Sequence, residues 1–259
     1  MKLTPISVDL AGYPPELRPL LEGAKVFDSS CSAQARVLFI DRDSGYFLKT
    51  AAAGSLAREA EMTRYFHGKG LTVQSAYFSQ ERDWLLTEKI PGEDCTAARY
   101  LEQPRRLCDT LAELLVTLHS MDHSGCPVRH MDWYLADIPR KYRAGDYDSS
   151  HFPDSYGYAS AEDAFRVLET KAHLLQSDTL LHGDYCLPNV ILNGWKLGGF
   201  VDVGNGGIGD RHVDIFWALW SLGYNLKTDK LRERFIDAYG RDKVDDERLR
   251  VVAAAEVFG

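Results

Sequence analysis

Asp184 and Asn189 stand five positions apart in Leu180-Leu181-His182-Gly183-Asp184-Tyr185-Cys186-Leu187-Pro188-Asn189, and Asp202 follows in Val201-Asp202-Val203-Gly204. A carboxylate, an amide oxygen and a second carboxylate in this order suit phosphoryl transfer. The first orients an attacking hydroxyl and accepts its proton, while the other two hold Mg²⁺ against the phosphates. Between Asn189 and Asp202, the apolar run Val190-Ile191-Leu192 meets Trp195-Lys196-Leu197 across Asn193-Gly194. Asn-Gly between two such runs signals a tight β-hairpin. The hairpin is expected to fold Asp202 back beside Asn189, so that both meet one ion. His-Gly-Asp alone also reads as a plain turn after a buried strand, because short motifs match by accident. The specificity lies in the whole set.

These side chains need elements to hold them. Residues 1–21 carry Pro5, Pro14, Pro15 and Pro19 and read as an irregular entry ending in a short helix. Strands are expected over 35–40, 46–49, 73–78 and 84–87. Lys49 closes the apolar strand Tyr46-Phe47-Leu48. Such a lysine is ordinarily a solvated edge residue; in a nucleotide site it reaches the α- and β-phosphates and is held by a helix glutamate. Glu59 and Glu61 both fall on the helical stretch 55–67, and Glu59 shares the face of Leu56, Met62 and Phe66. Ser30 lies in Asp28-Ser29-Ser30-Cys31-Ser32-Ala33, a run that would lay backbone N–H groups over phosphates or form an ordinary loop. Pro91-Gly92 breaks the periodicity and marks a hinge at about 88–94, with the main chain near Ile90 placed for a nucleotide base. The expected domains are a nucleotide-binding lobe, 1–90, and a catalytic and substrate-binding lobe, 91–259.

Beyond the hinge, apolar spacing changes to that of helices, expected over 104–121, 131–142, 161–175, 212–222, 227–239 and 245–257. His119 reads as a capping or core histidine. Asp214, at a helix start, reads as a brace for the catalytic loop or a partner of the helix dipole. Residues 144–165 combine Asp146, Asp148, Asp154, Glu162 and Asp163 with Tyr147, Phe152, Tyr156 and Tyr158, and hold no Lys or Arg. That composition suits a grip on an amino sugar or another organic cation, and equally a solvated surface loop. The net charge of −8 disfavours a nucleic-acid partner and is compatible with a cationic ligand. Five scattered cysteines, with no C-x-x-C pair, read as reduced thiols of a cytoplasmic protein. No apolar run approaches a membrane span, and the N-terminus lacks a signal peptide's apolar stretch.

Assembled, these residues resemble the aminoglycoside 3'-phosphotransferases, within the protein-kinase-like superfamily. The catalytic loop has the kinase spacing, with Gly183 in place of its Arg. The resemblance covers about residues 29–258 and rests on Tyr46-Phe47-Leu48-Lys49, Trp84-Leu85-Leu86, Pro91-Gly92, Leu118-His119-Ser120-Met121-Asp122 with Cys126-Pro127, the two motifs above, Asp210-Arg211 and Asp214-Ile215. It implies an α+β, bilobal fold: a small antiparallel-sheet N-lobe with one helix and a larger, mainly helical C-lobe. It also implies transfer of the γ-phosphate of ATP, or GTP, to a sugar hydroxyl of an antibiotic, conferring resistance, by a monomer or weak homodimer. Asp184 would be the base, Asn189 and Asp202 the magnesium ligands, Lys49 and Glu59 the phosphate-binding pair, and Ile90 the hinge contact. Glu256 matches the acidic residue of the family's C-terminal tail; Asp154 and Glu162 would add to the substrate grip. Three departures bear on that grip. Asn205 stands where the family usually has Arg after D-x-G, Tyr224 (beside Asn225) occupies a commonly acidic position, and Gly259 follows the usual terminal Phe. They keep open a kinase of another small hydroxyl compound. A nucleotide-binding pseudokinase is disfavoured, since none of Lys49, Asp184, Asn189 and Asp202 is missing.

Overall fold

A computed structural model describes residues 3–31, 35–147 and 160–259. The chain divides into one unit of Met1–Gly92 with Gly198–Gly204, and a second of Glu93–Leu197 with Asn205–Gly259. The break after Gly92 falls in the expected hinge. The return of Gly198–Gly204, which carries Asp202, to the first unit differs from the expected division, which left it in the second lobe.

The first unit is built on period-two burial. Its elements are β1 (Thr4–Ile6), α1 (Arg18–Leu21), β2 (Lys25–Asp28), β3 (Arg36–Asp41), β4 (Tyr46–Ala52), α2 (Ala57–Gly68), β5 (Ser75–Ser79) and β6 (Arg82–Glu88). The strands form one antiparallel sheet in the order β1-β2-β3-β4-β6-β5. Val26, Leu38, Ile40, Leu48 and Trp84 bury against Leu17 and Leu21 of the entry segment. Because side chains alternate along a strand, Lys49 falls on the other face, where Ala51 and Leu85 pack against Leu56 and Ala60 at the start of α2. The buried Asp83 carboxylate accepts the Leu56 N–H at 2.8 Å and so fixes where that helix begins. β1 and β2 were not expected. β1 is a three-residue edge strand containing Pro5, which only an edge tolerates.

The second unit contains β7 (Glu93–Asp94), α3 (Ala98–Leu101), α4 (Pro104–His119), α5 (His130–Tyr134), α6 (Ile138–Ala144), α7 (Ala161–Lys171), β8 (Thr179–Leu181), β9 (Val190–Asn193), the start of β10 (Lys196–Phe200, whose residues from Gly198 on belong to the first unit), β11 (Gly207–Gly209), α8 (His212–Leu226), α9 (Arg232–Tyr239) and α10 (Asp246–Glu256). Leu107, Leu111, Leu115 and Leu118 form the buried stripe of α4. The run Val251–Ala255 is buried on every side of α10, which packs with Ala161, Ala164 and Leu168 of α7. The helix expected over 131–142 is two helices: Pro139 sits in the first turn of α6, where its missing N–H is harmless. β9 and β10 are neighbours joined at Asn193-Gly194, with Gly194 at φ 69°, which is the expected hairpin. Asp210 locks the entries of two helices. It accepts from His212 N and Nδ1, and His212 Nε2 in turn accepts from Asp245 N, the residue that caps α10. Among the described residues no helix is long and apolar enough to cross a membrane.

Candidate active site

In the first unit, alternation along β4 delivers Lys49 to α2. Its ammonium lies 3.0 and 2.8 Å from the two Glu59 oxygens and 3.0 Å from Asp202 Oδ1. Burial alone would lower the lysine's pKa, but the charges of Asp202 and Glu59 raise it, so Lys49 remains an ammonium. Glu61 is exposed on the opposite side of α2. Arg58 Nε donates to the Gly204 carbonyl at 2.7 Å, a contact with no signal in the sequence. The Asp202 segment is fastened by Phe200 N to Leu71 O and by the Thr72 hydroxyl to Phe200 O, and Asp202 itself turns with φ 54°. Ile90 is buried, its side chain against Gly199. The Ser30 hydroxyl accepts from Val37 N at 3.0 Å, closing its own loop.

In the second unit, β8 runs into the catalytic loop. Gly183 has φ 83°, and a Cβ there would lie 1.9 Å from the Asn205 carbonyl oxygen, so no larger residue fits this backbone. Asp214, fully buried on α8, accepts from His182 N at 2.8 Å and from Gly183 N at 2.7 Å. His119 Nε2 donates to the same carboxylate at 3.0 Å, and its Nδ1 meets the Tyr239 hydroxyl at 2.8 Å. Asp214 is thus the brace of the loop, and His119 the brace of Asp214. The buried Tyr185 ring anchors the loop to α4 through its hydroxyl on Leu111 O, and Leu187 N donates to Ser221. Asn189 Nδ2 donates to the Asp184 carboxylate at 2.8 Å and to its main-chain oxygen at 3.0 Å. Burial pushes the neighbouring Cys186 thiol well up, which removes it as a nucleophile.

Asp184 and Asn189 open onto a cavity of about 690 Å³ within this unit. Asn205, Tyr224 and Glu256 line it too. Glu256 accepts from the Tyr134 hydroxyl at 2.7 Å and from Trp217 Nε1 at 3.3 Å. Burial nevertheless pushes its carboxyl up to about 7. Lys141 Nζ donates to Phe258 O at 2.6 Å, tying down the tail. Glu162 does not share this cavity: it is exposed on the first turn of α7 and pairs with Arg166. Asp154 lies outside the described residues. Much of the wall is aromatic, from Trp133 and Tyr134 on α5 and Trp217 and Trp220 on α8. The three- and four-residue spacing of the α8 rings was visible in the sequence but reads equally as core.

The model of the phosphotransferase enzyme family matches residues 24–252. The chain belongs to that family. This phosphotransferase is 45% identical, across 99% of each chain, to a probable aminoglycoside 3'-phosphotransferase of Lactococcus lactis subsp. lactis. Among solved structures, an aminoglycoside-3'-phosphotransferase of type VIII superposes with a TM-score of 0.71 at 25% identity, covering 99% of this chain and 94% of that one. An aminoglycoside phosphotransferase of Streptomyces rimosus, in complex with ADP and streptomycin, matches with a TM-score of 0.66 at 19% identity over 90% and 93% of the two chains. The phosphotransferase therefore has the α+β, kinase-like fold of these enzymes.

Proposed function

We propose that this phosphotransferase transfers the γ-phosphate of ATP, or of GTP in its place, to the 3'-hydroxyl of an aminoglycoside and so confers resistance. The observation that carries the reading is the Asp184 carboxylate, held by Asn189 on a backbone locked by Asp214 and facing a cavity of about 690 Å³. Asp184 takes the proton of the attacking hydroxyl, and Lys49, steadied by Glu59, holds phosphate oxygens. Each of Asn189 and Asp202 has the donor chemistry that suits magnesium: both present hard oxygen donors, Asn189 uses its Nδ2 on Asp184, and the Asp202 side chain is 56% exposed. When bound, the ion would offset charge on the phosphates.

ADP release with ATP and Mg²⁺ tests this directly, using kanamycin B and its 3'-deoxy form as acceptors. Turnover of the hydroxylated compound alone is the expected result. Equal turnover of both would move the reaction to another hydroxyl, and silence would favour the second reading, a kinase of a less cationic hydroxyl compound. That second reading draws on the wall chemistry: among the described lining residues, only Asp137, Asp184 and Glu256 have carboxylate side chains.

Glu256 supplies a pH signature. Its carboxyl titrates at about 7, so its attraction for an ammonium grows as pH rises through that value. The KM for a cationic acceptor is expected to fall from about pH 6 to about pH 8, and Glu256→Gln to flatten the profile. A wild-type slope retained in that variant would assign it to another group.

A further inference from the structure

Helix α8 turns a file of rings toward the cavity that holds Asp184. Trp217, Trp220 and Tyr224 follow one another at helical spacing, and all three line that cavity. Trp217 meets Trp220 edge-on, with ring centroids 5.4 Å apart and planes at 81°. Trp220 stacks on Tyr224 with centroids 5.1 Å apart and planes at 8°. Tyr224 is 59% exposed, although it continues this stack.

A cation already occupies the ring. Lys227 Nζ lies 4.1 Å from the Tyr224 centroid, well inside the range in which a ring quadrupole attracts an ammonium. Lys227 does not itself line the cavity; it is the left-handed residue that closes α8 and reaches the ring from the helix end. The carboxylate side chains on the cavity wall all accept hydrogen bonds from neighbouring side chains. Asp137 is bound by both forks of Arg140 at 2.6 Å, Asp184 by Asn189, and Glu256 by Tyr134 and Trp217.

We propose that Tyr224, stacked on Trp220, is a subsite for an ammonium group of the amino-sugar acceptor, and that Lys227 is a placeholder the acceptor displaces. A ring face attracts a cation without first giving up the tight hydration of a carboxylate. It also packs against the C–H face of a sugar ring, so one residue serves both halves of an amino sugar. A plain surface stack with a lysine resting on it would share the same distances, yet would leave acceptor binding unmoved.

The inference rests on the aminoglycoside reading, and the test separates the two. Kanamycin B binding is measured by calorimetry and its KM and kcat by ADP release, for the wild type, Tyr224→Leu, Tyr224→Phe and Lys227→Met. Tyr224→Leu is expected to raise KM and the dissociation constant about fivefold. Tyr224→Phe, which keeps the ring, is expected to match the wild type, and Lys227→Met to bind more tightly. Since Tyr224 is exposed, a melting curve that matches the wild type is expected for the leucine variant. Turnover by the wild type with no change in Tyr224→Leu would overturn the subsite alone, as would equal weakening by leucine and phenylalanine. Binding weakened in Tyr224→Leu, without turnover by any variant, would keep the subsite and overturn the phosphotransfer reading. No binding by the wild type would overturn both.

Discussion

Asp184→Ala is expected to lower turnover by about three orders of magnitude while the protein still binds ATP. Its carboxylate is the one acid of the catalytic loop, and its surroundings are arranged to aim it. Asn189 Nδ2 holds an oxygen at 2.8 Å, while the loop backbone is pinned at His182 and Gly183 by Asp214. Asparagine keeps the shape of the side chain but cannot take the proton, and it can set its NH₂ against the Asn189 donor, so Asp184→Asn should lose nearly as much as alanine. Nucleotide binding should survive because the Lys49, Glu59 and Asp202 group belongs to the first unit and does not depend on the Asp184 side chain. Calorimetric titration with ATP and single-turnover ADP release check the two halves separately. Near-normal turnover in either variant would remove Asp184 from the mechanism.

What could be read from the sequence follows from where local chemistry decides the outcome. Asp184, Asn189 and the Asn193-Gly194 hairpin are encoded within a dozen consecutive residues, where the structure has the hairpin strands and a hydrogen bond from Asn189 to Asp184. Choosing Glu59 over Glu61 needed only the helical repeat, and the 2.8 Å contact with Lys49 agrees. Contacts that depend on long-range assembly were illegible. Arg58 meets Gly204 across 146 positions, and Tyr134 meets Glu256 across 122. β1 and β2 were missed because strands of three and four residues are too short to show the alternating run that marks a buried strand. The spacing of Phe216, Trp217 and Trp220 in the sequence fits a core, because period alone does not tell a cavity wall from an interior. Phe216 is indeed buried, whereas Trp217 and Trp220 face the cavity.

Asp214 was read as structural from its place at a helix start, and its contacts make that role quantitative. One buried carboxylate satisfies two main-chain N–H groups of the catalytic loop and the His119 ring. Asp214→Ala leaves all three donors buried without that partner, and such losses cost about 3–5 kcal/mol. A melting temperature lower by roughly 10 °C is expected for a chain of this size. Turnover should fall too, because the Gly183 backbone, already confined by the Asn205 carbonyl, sets the direction of Asp184. Asp214→Asn separates the two effects. It keeps the volume and one acceptor oxygen but sets an NH₂ group against donors, so it should melt closer to the wild type and still lose much of kcat. The wild-type carboxylate also carries a pH dependence. Burial would raise its pKa, but the hydrogen bond and charge of His119, with His182, hold it below the usual value. Its stabilisation is therefore complete above the unfolded value of about 4 and is lost as pH falls through the lower folded value. Acid melting curves should show Asp214→Asn converging on the wild type toward low pH. A constant gap between the two curves, or an asparagine variant with full kcat, would mean that the loop is aimed by something other than Asp214.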